Sequence, residues 1–255
     1  MFRALFHRRV RAHAQRIFAS LFPEGFEGEV FLCGGAFKPL LKKGLPVQDY
    51  DLWVRNRKDR EKLCAALEKS GAHLIRDFHP YCIKFRHDGQ LVEITYHNIK
   101  DGGLKDVLST FDLSLCSIGA RYVNGKVVEV QVSDECWHAI RSRNVMVQQS
   151  YFLFLMMQKA PSLVRTLHRM GHQAAELGYR VDLNHEHMLW ELYWREFSDE
   201  ERQAAIDLYF DTMVDYKGQH DERLVRRAMV GFAPAVPDLK SRPDRTPVKL
   251  VHRVA

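Results

Sequence analysis

The sequence predicts an α/β (α+β) fold with a mixed sheet over residues 1–144, followed by a small all-helical domain over 145–232. In the first region, short apolar runs suited to strands alternate with helical periodicity. Two turns there, at residues 87–90 and at Asn124-Gly125, are typical of hairpins. In the second region, apolar residues recur at helical spacing. The change of pattern near residue 145 therefore indicates two regions of different architecture.

The predicted elements follow one another in chain order. Apolar residues at helical spacing predict a leading helix over 9–21, and an apolar strand follows at 30–33. The next predicted elements are a short helix, a strand from residue 49, a helix over 59–70, strands over 74–78, 81–85 and 90–96, and a hairpin of 113–122 with 126–132. Later helices are predicted over 151–157, 163–177, 187–197, 199–216 and 221–230. Residues 233–255 combine prolines with basic side chains, so we expect a basic tail there.

Two carboxylates open the second predicted strand. Asp49 and Asp51 are two residues apart, so both side chains leave the same face, with Cα atoms about 6.5 to 7 Å apart. Carboxylates at this spacing can hold two divalent ions about 3.5 to 4 Å apart, which stabilise the attacking and leaving oxygens of a displacement at phosphorus. The pattern therefore predicts Asp49 and Asp51 as catalytic residues and metal ligands.

A third carboxylate is predicted on a neighbouring strand. Glu93 lies between Val92 and Ile94, so the two-residue period of a strand turns it to the face opposite these apolar side chains. Taken alone, Glu93 is more typical of a solvated edge strand. Beside Asp49 and Asp51 we favour a catalytic metal ligand, because an acid in a β-branched run needs a positive partner.

A glycine pair precedes these acids. Gly34 and Gly35 end the first apolar strand, and without a Cβ they let an anionic substrate approach the backbone, whose amides point at it. Lys38, on the first turn of the next helix, is positioned to reach a triphosphate, and Lys42 and Lys43 add positive charge nearby. A glycine pair alone is usually only a turn, so the prediction of a phosphate loop depends on the acids that follow.

Together these residues resemble the DNA polymerase beta-like nucleotidyltransferase superfamily, in particular the head domain of CCA-adding enzymes and bacterial poly(A) polymerases. The resemblance covers roughly the first 150 residues. It implies an enzyme that uses two Mg²⁺ ions to move a nucleoside monophosphate from a nucleoside triphosphate, such as ATP, to a hydroxyl acceptor. The favoured acceptor is an RNA 3′ end of tRNA type. A protein or small-molecule acceptor, as in toxin or antibiotic-modifying relatives, and a catalytically inactive nucleotide-binding module stay open.

The resemblance extends to a later segment. Residues 110–114 are similar to a run that binds the sugar of the incoming nucleotide in that family, which assigns Asp112 to nucleotide binding, with Ser114 in place of a threonine. No arginine precedes Asp112, and Cys116 stands where the family commonly has asparagine. Without the resemblance, Asp112 is typical of a helix or turn cap.

Two arginines of the second region share one predicted helix face. Arg165 and Arg169 lie four residues apart, a spacing suited to the phosphates of a substrate. A solvated basic face is the favoured interpretation of these two arginines. Together with Lys42 and Lys43, they are also candidate RNA or phosphate contacts. The acidic-plus-arginine pair with which CCA-adding enzymes read the incoming base is missing, so the sequence does not indicate which nucleotide is used.

Composition agrees with an enzyme that meets polyanions. The 255-residue chain is 46% hydrophobic and carries a formal net charge of +6, which favours triphosphates and nucleic acid as partners. Its five cysteines have no Cys-x-x-Cys spacing, which favours a reducing compartment. No apolar run approaches the length of about twenty residues that crosses a bilayer, so we expect a soluble, cytoplasmic protein. The Arg-rich start would suit a transit peptide, but its helical spacing favours a helix of the first domain.

Overall fold

The computed structural model describes residues 2–79, 81–98, 102–151 and 160–217. Its contacts group Met1–Ile206 into one compact unit and Asp207–Ala255 into a second. The helix predicted over 221–230 and the tail predicted over 233–255 lie outside the described residues, as does nearly all of the helix predicted over 151–157.

Strands and helices alternate along the first part of the chain. The described strands are β1 (Glu29–Cys33), β2 (Asp49–Val54), β3 (His73–Phe78), β4 (Cys82–His87), β5 (Gln90–Asn98), β6 (Ile118–Val123), β7 (Lys126–Val132), β8 (Asn144–Val145) and β9 (Arg180–Val181). The described helices are α1 (Phe2–Leu21), α2 (Lys38–Leu41), α3 (Arg57–Lys69), α4 (Leu104–Ser109), α5 (Asp134–Ser142), α6 (Ala160–Leu177), α7 (Leu183–Glu196) and α8 (Asp199–Lys217). Short 3₁₀ helices cover Gly34–Phe37 and Ser114–Cys116.

The described strands build a mixed sheet, as the sequence predicts. The strand order is β3-β4-β5-β2-β1-β6-β7, and β8 pairs separately with β9. Within the larger sheet, β2 and β5 run parallel, while the other neighbouring strands are antiparallel. This register sets Asp51 of β2 between Cys33 of β1 and Glu93 of β5. The central strands therefore bring the predicted acids to the end of β1.

The leading helix α1 packs against β6 and β7. Val10 and Phe18 recur at helical spacing and are buried in the same core as side chains from β1, β2 and β5. The Phe18 ring lies 4.7 Å from the ring of Tyr122 on β6. The helix begins at Phe2, well before the predicted residue 9, and its Phe6 packs on Trp137 of α5. The apolar stripe is thus longer than the sequence analysis recognised.

Several elements differ from the prediction. The strand predicted over 113–122 begins only at Ile118, because the amide of Ser114 bonds to the carbonyl of Met146 and the chain turns through a 3₁₀ helix. Helix α4 and the short strands β8 and β9 were not predicted, and neither was helix α5. Its start is marked by Ser133, whose side chain accepts a hydrogen bond from the Cys136 amide, and by two acids in the first turn.

The later helices correspond to predicted ones. The helices predicted over 163–177, 187–197 and 199–216 appear as α6, α7 and α8. Helix α7 begins earlier than predicted because the Asp182 side chain accepts from the His185 amide and caps its first turn. None of the described helices has the length and apolar character to cross a membrane.

Candidate active site

Three acids and a glycine turn come together where β1 ends. Cys33, the last residue of β1, lies opposite Asp51, which in turn lies opposite Glu93 on the parallel strand β5. Asp49 is two residues before Asp51 on β2 and shares its face. Gly34 follows Cys33 directly and begins the 3₁₀ helix. The structure therefore brings the predicted acids and the predicted phosphate loop to one place.

The acids interact electrostatically. Burial, and after it the negative charges of Asp49 and Glu93, raise the pKa of Asp51 to about 8, against the opposing charges of Arg169 and Lys84. The positive charges of Arg169 and Lys84 therefore do not outweigh burial and the two negative neighbours. A cation placed beside Asp51 would return its pKa toward the ordinary range. The cluster is therefore suited to take up a positive ion.

The glycine turn lies directly against the two aspartates. Gly34 has a φ of +72°, which L side chains rarely adopt, and a Cβ there would lie 3.2 Å from Asp51 Oδ2 and 3.1 Å from Phe111 Cε1. A Cβ on Gly35 would lie 3.4 Å from Asp49 Oδ1. Gly34 is thus required both by its backbone conformation and by the close approach of the acid.

The three predicted lysines are placed differently from one another. Lys38 Nζ lies 2.6 Å from Glu176 Oε2 on α6, and both side chains are largely buried. Lys42 Nζ donates to the backbone carbonyl of Glu176, 2.6 Å away, near the end of the same helix. Lys43 is exposed. Two of these lysines therefore tie the phosphate loop region to α6, and Glu176 is a site neighbour that the sequence analysis missed.

Asp112 and Arg169, predicted separately, form one pair. Arg169 Nη1 on α6 lies 2.8 Å from both carboxylate oxygens of Asp112, whose side chain is only 2% exposed. The amide of Leu113 also donates to Asp112, and Thr166 Oγ1 lies 3.5 Å from it. Burial opposes the charge on Arg169, but Asp112, and further off Asp51, raise its pKa above the usual value. Arg169 therefore links Asp112 to the acidic cluster.

Polar side chains continue along α6 beyond Arg169. Gln173 Nε2 lies 3.1 Å from the Sγ atom of Cys116. Cys116 stands where the family that the sequence resembles commonly has asparagine. Among the described residues, Gln173 Oε1 and Ser114 Oγ are buried and have no hydrogen-bond partner. Arg169, Gln173 and Glu176 recur at helical spacing on one face of α6. From the sequence, that spacing could have identified Gln173 and Glu176 as neighbours of Arg169.

Arg165 takes no part in the pairing of Asp112 with Arg169. Its side chain is exposed, and Nη2 donates to the hydroxyl of Tyr151 at 3.1 Å. The structure therefore separates the two arginines: Arg169 binds Asp112, whereas Arg165, like Lys43, is exposed.

Comparison with known proteins concerns the fold. No protein-family model and no curated protein matches the sequence. A solved tRNA nucleotidyltransferase, complexed with a primer tRNA and an incoming ATP analog, aligns with a TM-score of 0.51 at 13% identity, over 79% of this chain and 63% of that one. A tRNA-processing enzyme in an apo form aligns with a TM-score of 0.52 at 14% identity, over 88% and 61%. A CCA-adding enzyme in an apo form aligns with a TM-score of 0.52 at 13% identity, over 80% of this chain and 47% of that one.

The chain has the nucleotidyltransferase fold. The predicted resemblance to the head domain of CCA-adding enzymes is thereby confirmed for the fold and, at these identities, for the fold alone. The chain spans less than two thirds of the length of these structures.

The acids of this nucleotidyltransferase fold offer the donors that magnesium prefers. Asp49 and Asp51 supply carboxylate oxygens, the hard ligands of Mg²⁺, and both border the glycine turn. Within the described part of the chain, no three His, Cys, Asp or Glu side chains are already gathered for a metal ion. The raised pKa of Asp51 nevertheless marks a site that lacks positive charge. The Asp49–Asp51 pair therefore fits a divalent cation, whereas Glu93 already has Lys84 as an ionic partner.

Proposed function

We propose that this protein is a magnesium-dependent nucleotidyltransferase that moves a nucleoside monophosphate from a nucleoside triphosphate to the 3′ hydroxyl of an RNA. The observation that carries the proposal is that Asp49 and Asp51 border the glycine turn, with Glu93 opposite Asp51 on β5, within the nucleotidyltransferase fold. An acidic cluster beside a turn that only glycine can occupy is the arrangement expected for a cation and a triphosphate held together.

The acids would act first by binding the metal ion. Asp49 and Asp51 would hold magnesium, which supplies Lewis-acid stabilisation of charge on the transferred phosphoryl group. Glu93 completes the acidic cluster from the β5 side and contributes to the negative potential that attracts the ion. The orientation of both aspartates depends on the pairing of β2 with β1 and β5.

The glycine turn and its neighbours would hold the nucleotide. Gly34 and Gly35 leave the backbone accessible, so that phosphate oxygens can approach its amides. Lys38, held by Glu176, adds positive charge beside the turn. Asp112 would serve nucleotide binding by fixing Arg169, whose side chain is 39% exposed and whose charge acts on Asp51. Such a fixed guanidinium suits phosphate or ribose oxygens.

Three observations support RNA as the acceptor. The chain has a net charge of +6, which attracts polyanions. A solved structure that shares its fold contains a primer tRNA together with an ATP analog. Exposed Lys43 and Arg165 are the predicted phosphate contacts that stay directed to solvent. An RNA backbone is the ligand that best satisfies such charges.

A transfer assay tests this function. The protein is incubated with magnesium, each α-labelled nucleoside triphosphate in turn, and total RNA or total protein as acceptor. We expect label on RNA that is lost when magnesium is chelated. Label on protein would retain the chemistry and replace the acceptor. Absence of transfer to every acceptor would contradict an enzymatic function.

Gly34→Ala is expected to lower nucleotidyl transfer about a hundredfold and the free energy of unfolding by about 1 to 2 kcal/mol. The positive φ strains any L residue, and the added Cβ would press on Asp51 Oδ2 at 3.2 Å. Steady-state transfer kinetics and urea unfolding measure the two effects.

Gly44→Ala is the matched control for this substitution. Gly44 has a φ of +88°, but a Cβ there meets nothing within 4 Å. We therefore expect a similar loss of stability with activity close to that of the wild type. Equal losses of activity in the two variants would show that strain alone, rather than contact with the acid, explains the effect.

Replacing Lys43 and Arg165 together by alanine is expected to weaken RNA binding and to lower the slope of log affinity against log salt by about 1 to 2. Filter binding over a series of salt concentrations measures both quantities. Lys126→Ala is the control. Lys126 is exposed and pairs with Val123, which lies opposite Glu29 at the end of β1 that is remote from Cys33 and the glycine turn. An unchanged salt slope in the double variant would exclude these side chains as phosphate contacts.

A further inference from the structure

A buried lysine lies beside the third acid of the candidate site. Strands β4 and β5 are antiparallel and set Lys84 opposite Glu93, with Nζ 2.6 Å from Oε1. The Lys84 side chain is 6% exposed and that of Glu93 14%. Lys84 was not predicted as a site residue. The third acid predicted to bind metal therefore has a fixed positive partner from the protein itself.

The environment of this pair holds the ammonium group in place. The Lys84 Nζ lies 5.3 Å from the centre of the Phe78 ring on β3, a cation–π contact on the side away from Glu93's strand. The other oxygen of Glu93, Oε2, lies 3.9 Å from Cys82 Sγ. Both carboxylate oxygens of Glu93 therefore have neighbours on β4, which directs this acid toward β4.

A divalent ion on Glu93 would meet this ammonium at close range. Like charges in a site of low polarity repel strongly, and a buried lysine separated from its counter-ion is costly. Asp49 and Asp51 are placed differently: their oxygens border the glycine turn, where a Cβ on Gly34 would lie 3.2 Å from Asp51 Oδ2 and a Cβ on Gly35 would lie 3.4 Å from Asp49 Oδ1. Lys84 therefore balances the charge of Glu93, whereas the oxygens of Asp49 and Asp51 border the glycine turn, where a cation can bind.

We propose that Lys84 is a positioning residue that takes the place of one of the two divalent ions: it keeps Glu93 as its counter-ion, and the chain binds a single divalent cation through Asp49 and Asp51. The inference rests on the proposed nucleotidyltransferase function and concerns the cation requirement of that same site. It replaces the prediction of two magnesium ions with one magnesium ion and one ammonium group.

Manganese titration followed by electron paramagnetic resonance tests the stoichiometry on the full chain without nucleotide. We expect one Mn²⁺ per wild-type chain. Glu93→Gln should retain that ion with a dissociation constant within about threefold, whereas Asp51→Asn should weaken binding more than about tenfold, because Asp51, unlike Glu93, is a ligand of the ion. Lys84→Met should admit a second Mn²⁺ at the freed Glu93, and Lys84→Arg, which keeps the charge, should still bind one.

Two Mn²⁺ ions on the wild-type chain would overturn the inference, as would tenfold weaker binding by Glu93→Gln or no binding at all by the wild type. If Lys84→Met does not fold by circular dichroism, the isosteric Glu93→Gln and Asp51→Asn variants decide the question. Two bound ions with transfer to RNA intact would reject the role of Lys84 and keep the enzyme. One bound ion without transfer to any acceptor would reject the proposed function and keep the single cation site.

Discussion

Asp51→Asn is expected to lower the kcat/KM of nucleotidyl transfer by about a thousandfold, equivalent to about 4 kcal/mol of transition-state stabilisation. The free energy of unfolding of the same variant should equal or exceed that of the wild type. Asparagine keeps the shape of aspartate but lacks the charge that holds a metal ion. The loss should therefore be one of chemistry, with strand β2 unchanged.

The expected stability follows from the surroundings of Asp51. In the metal-free protein, burial and the charges of Asp49 and Glu93 disfavour the ionised carboxyl group and raise its pKa to about 8. A neutral amide removes that repulsion. Clustered acids lower the free energy of unfolding but allow the site to bind a cation, which is a common trade-off between stability and activity.

Transfer kinetics and urea unfolding of the same preparations measure the two effects. Asp88→Asn is the control, because the Asp88 side chain is 92% exposed in the turn between β4 and β5 and should change neither quantity. An Asp51→Asn enzyme that retains more than about a tenth of wild-type activity would exclude Asp51 as the metal ligand on which transfer depends.

Arg169→Met is expected to lower the free energy of unfolding by about 3 kcal/mol, because it leaves the Asp112 carboxylate buried without its ionic partner. Asp112 is 2% exposed and accepts both short contacts from Arg169. Since Arg169 itself is 39% exposed, the cost should fall at the lower end of the range for buried pairs. Methionine keeps the unbranched stem and the helix propensity of α6.

Arg165→Met, one helical turn earlier, is the matched control. Its side chain is exposed, so the free energy of unfolding should change by no more than about 0.5 kcal/mol. A double-mutant cycle that combines Arg169→Met with Asp112→Asn should give a coupling energy above about 1 kcal/mol. Additive effects of the two substitutions would contradict the pairing of Asp112 with Arg169.

The local patterns of the sequence predicted the end of β1 well. A glycine pair after an apolar strand, and two acids at a spacing of two, require only the geometry of strands and turns. The mixed sheet and its agreement with the nucleotidyltransferase fold followed from those patterns. Local periodicity also predicted helices α6 and α8, whose boundaries differ from the prediction by a few residues.

Contacts between distant segments could not be predicted in the same way. Asp112 and Arg169 are 57 residues apart, and no local pattern indicates that one would bind the other. Lys38 was predicted to reach a triphosphate, but its ionic partner in the structure is Glu176 of α6. Such pairs depend on how α6 packs on the sheet region, which periodicity does not encode.

Lys84 shows the same limit within a single sheet. Its place opposite Glu93 depends on the register of β4 with β5. A shift of one residue would turn Lys84 to the other face. The turn at residues 87–90 was predicted, and it fixes this register. Counting back from that turn was therefore the available signal, and it pairs residue 84 with residue 93.

Anomalous diffraction from crystals grown with Mn²⁺ and a non-hydrolysable nucleoside triphosphate tests the candidate site most directly. We expect a manganese peak between the carboxylates of Asp49 and Asp51, with the triphosphate against Gly34 and Gly35. Manganese bound away from these aspartates, or a nucleotide bound elsewhere on the chain, would contradict a nucleotidyl transfer site at this glycine turn.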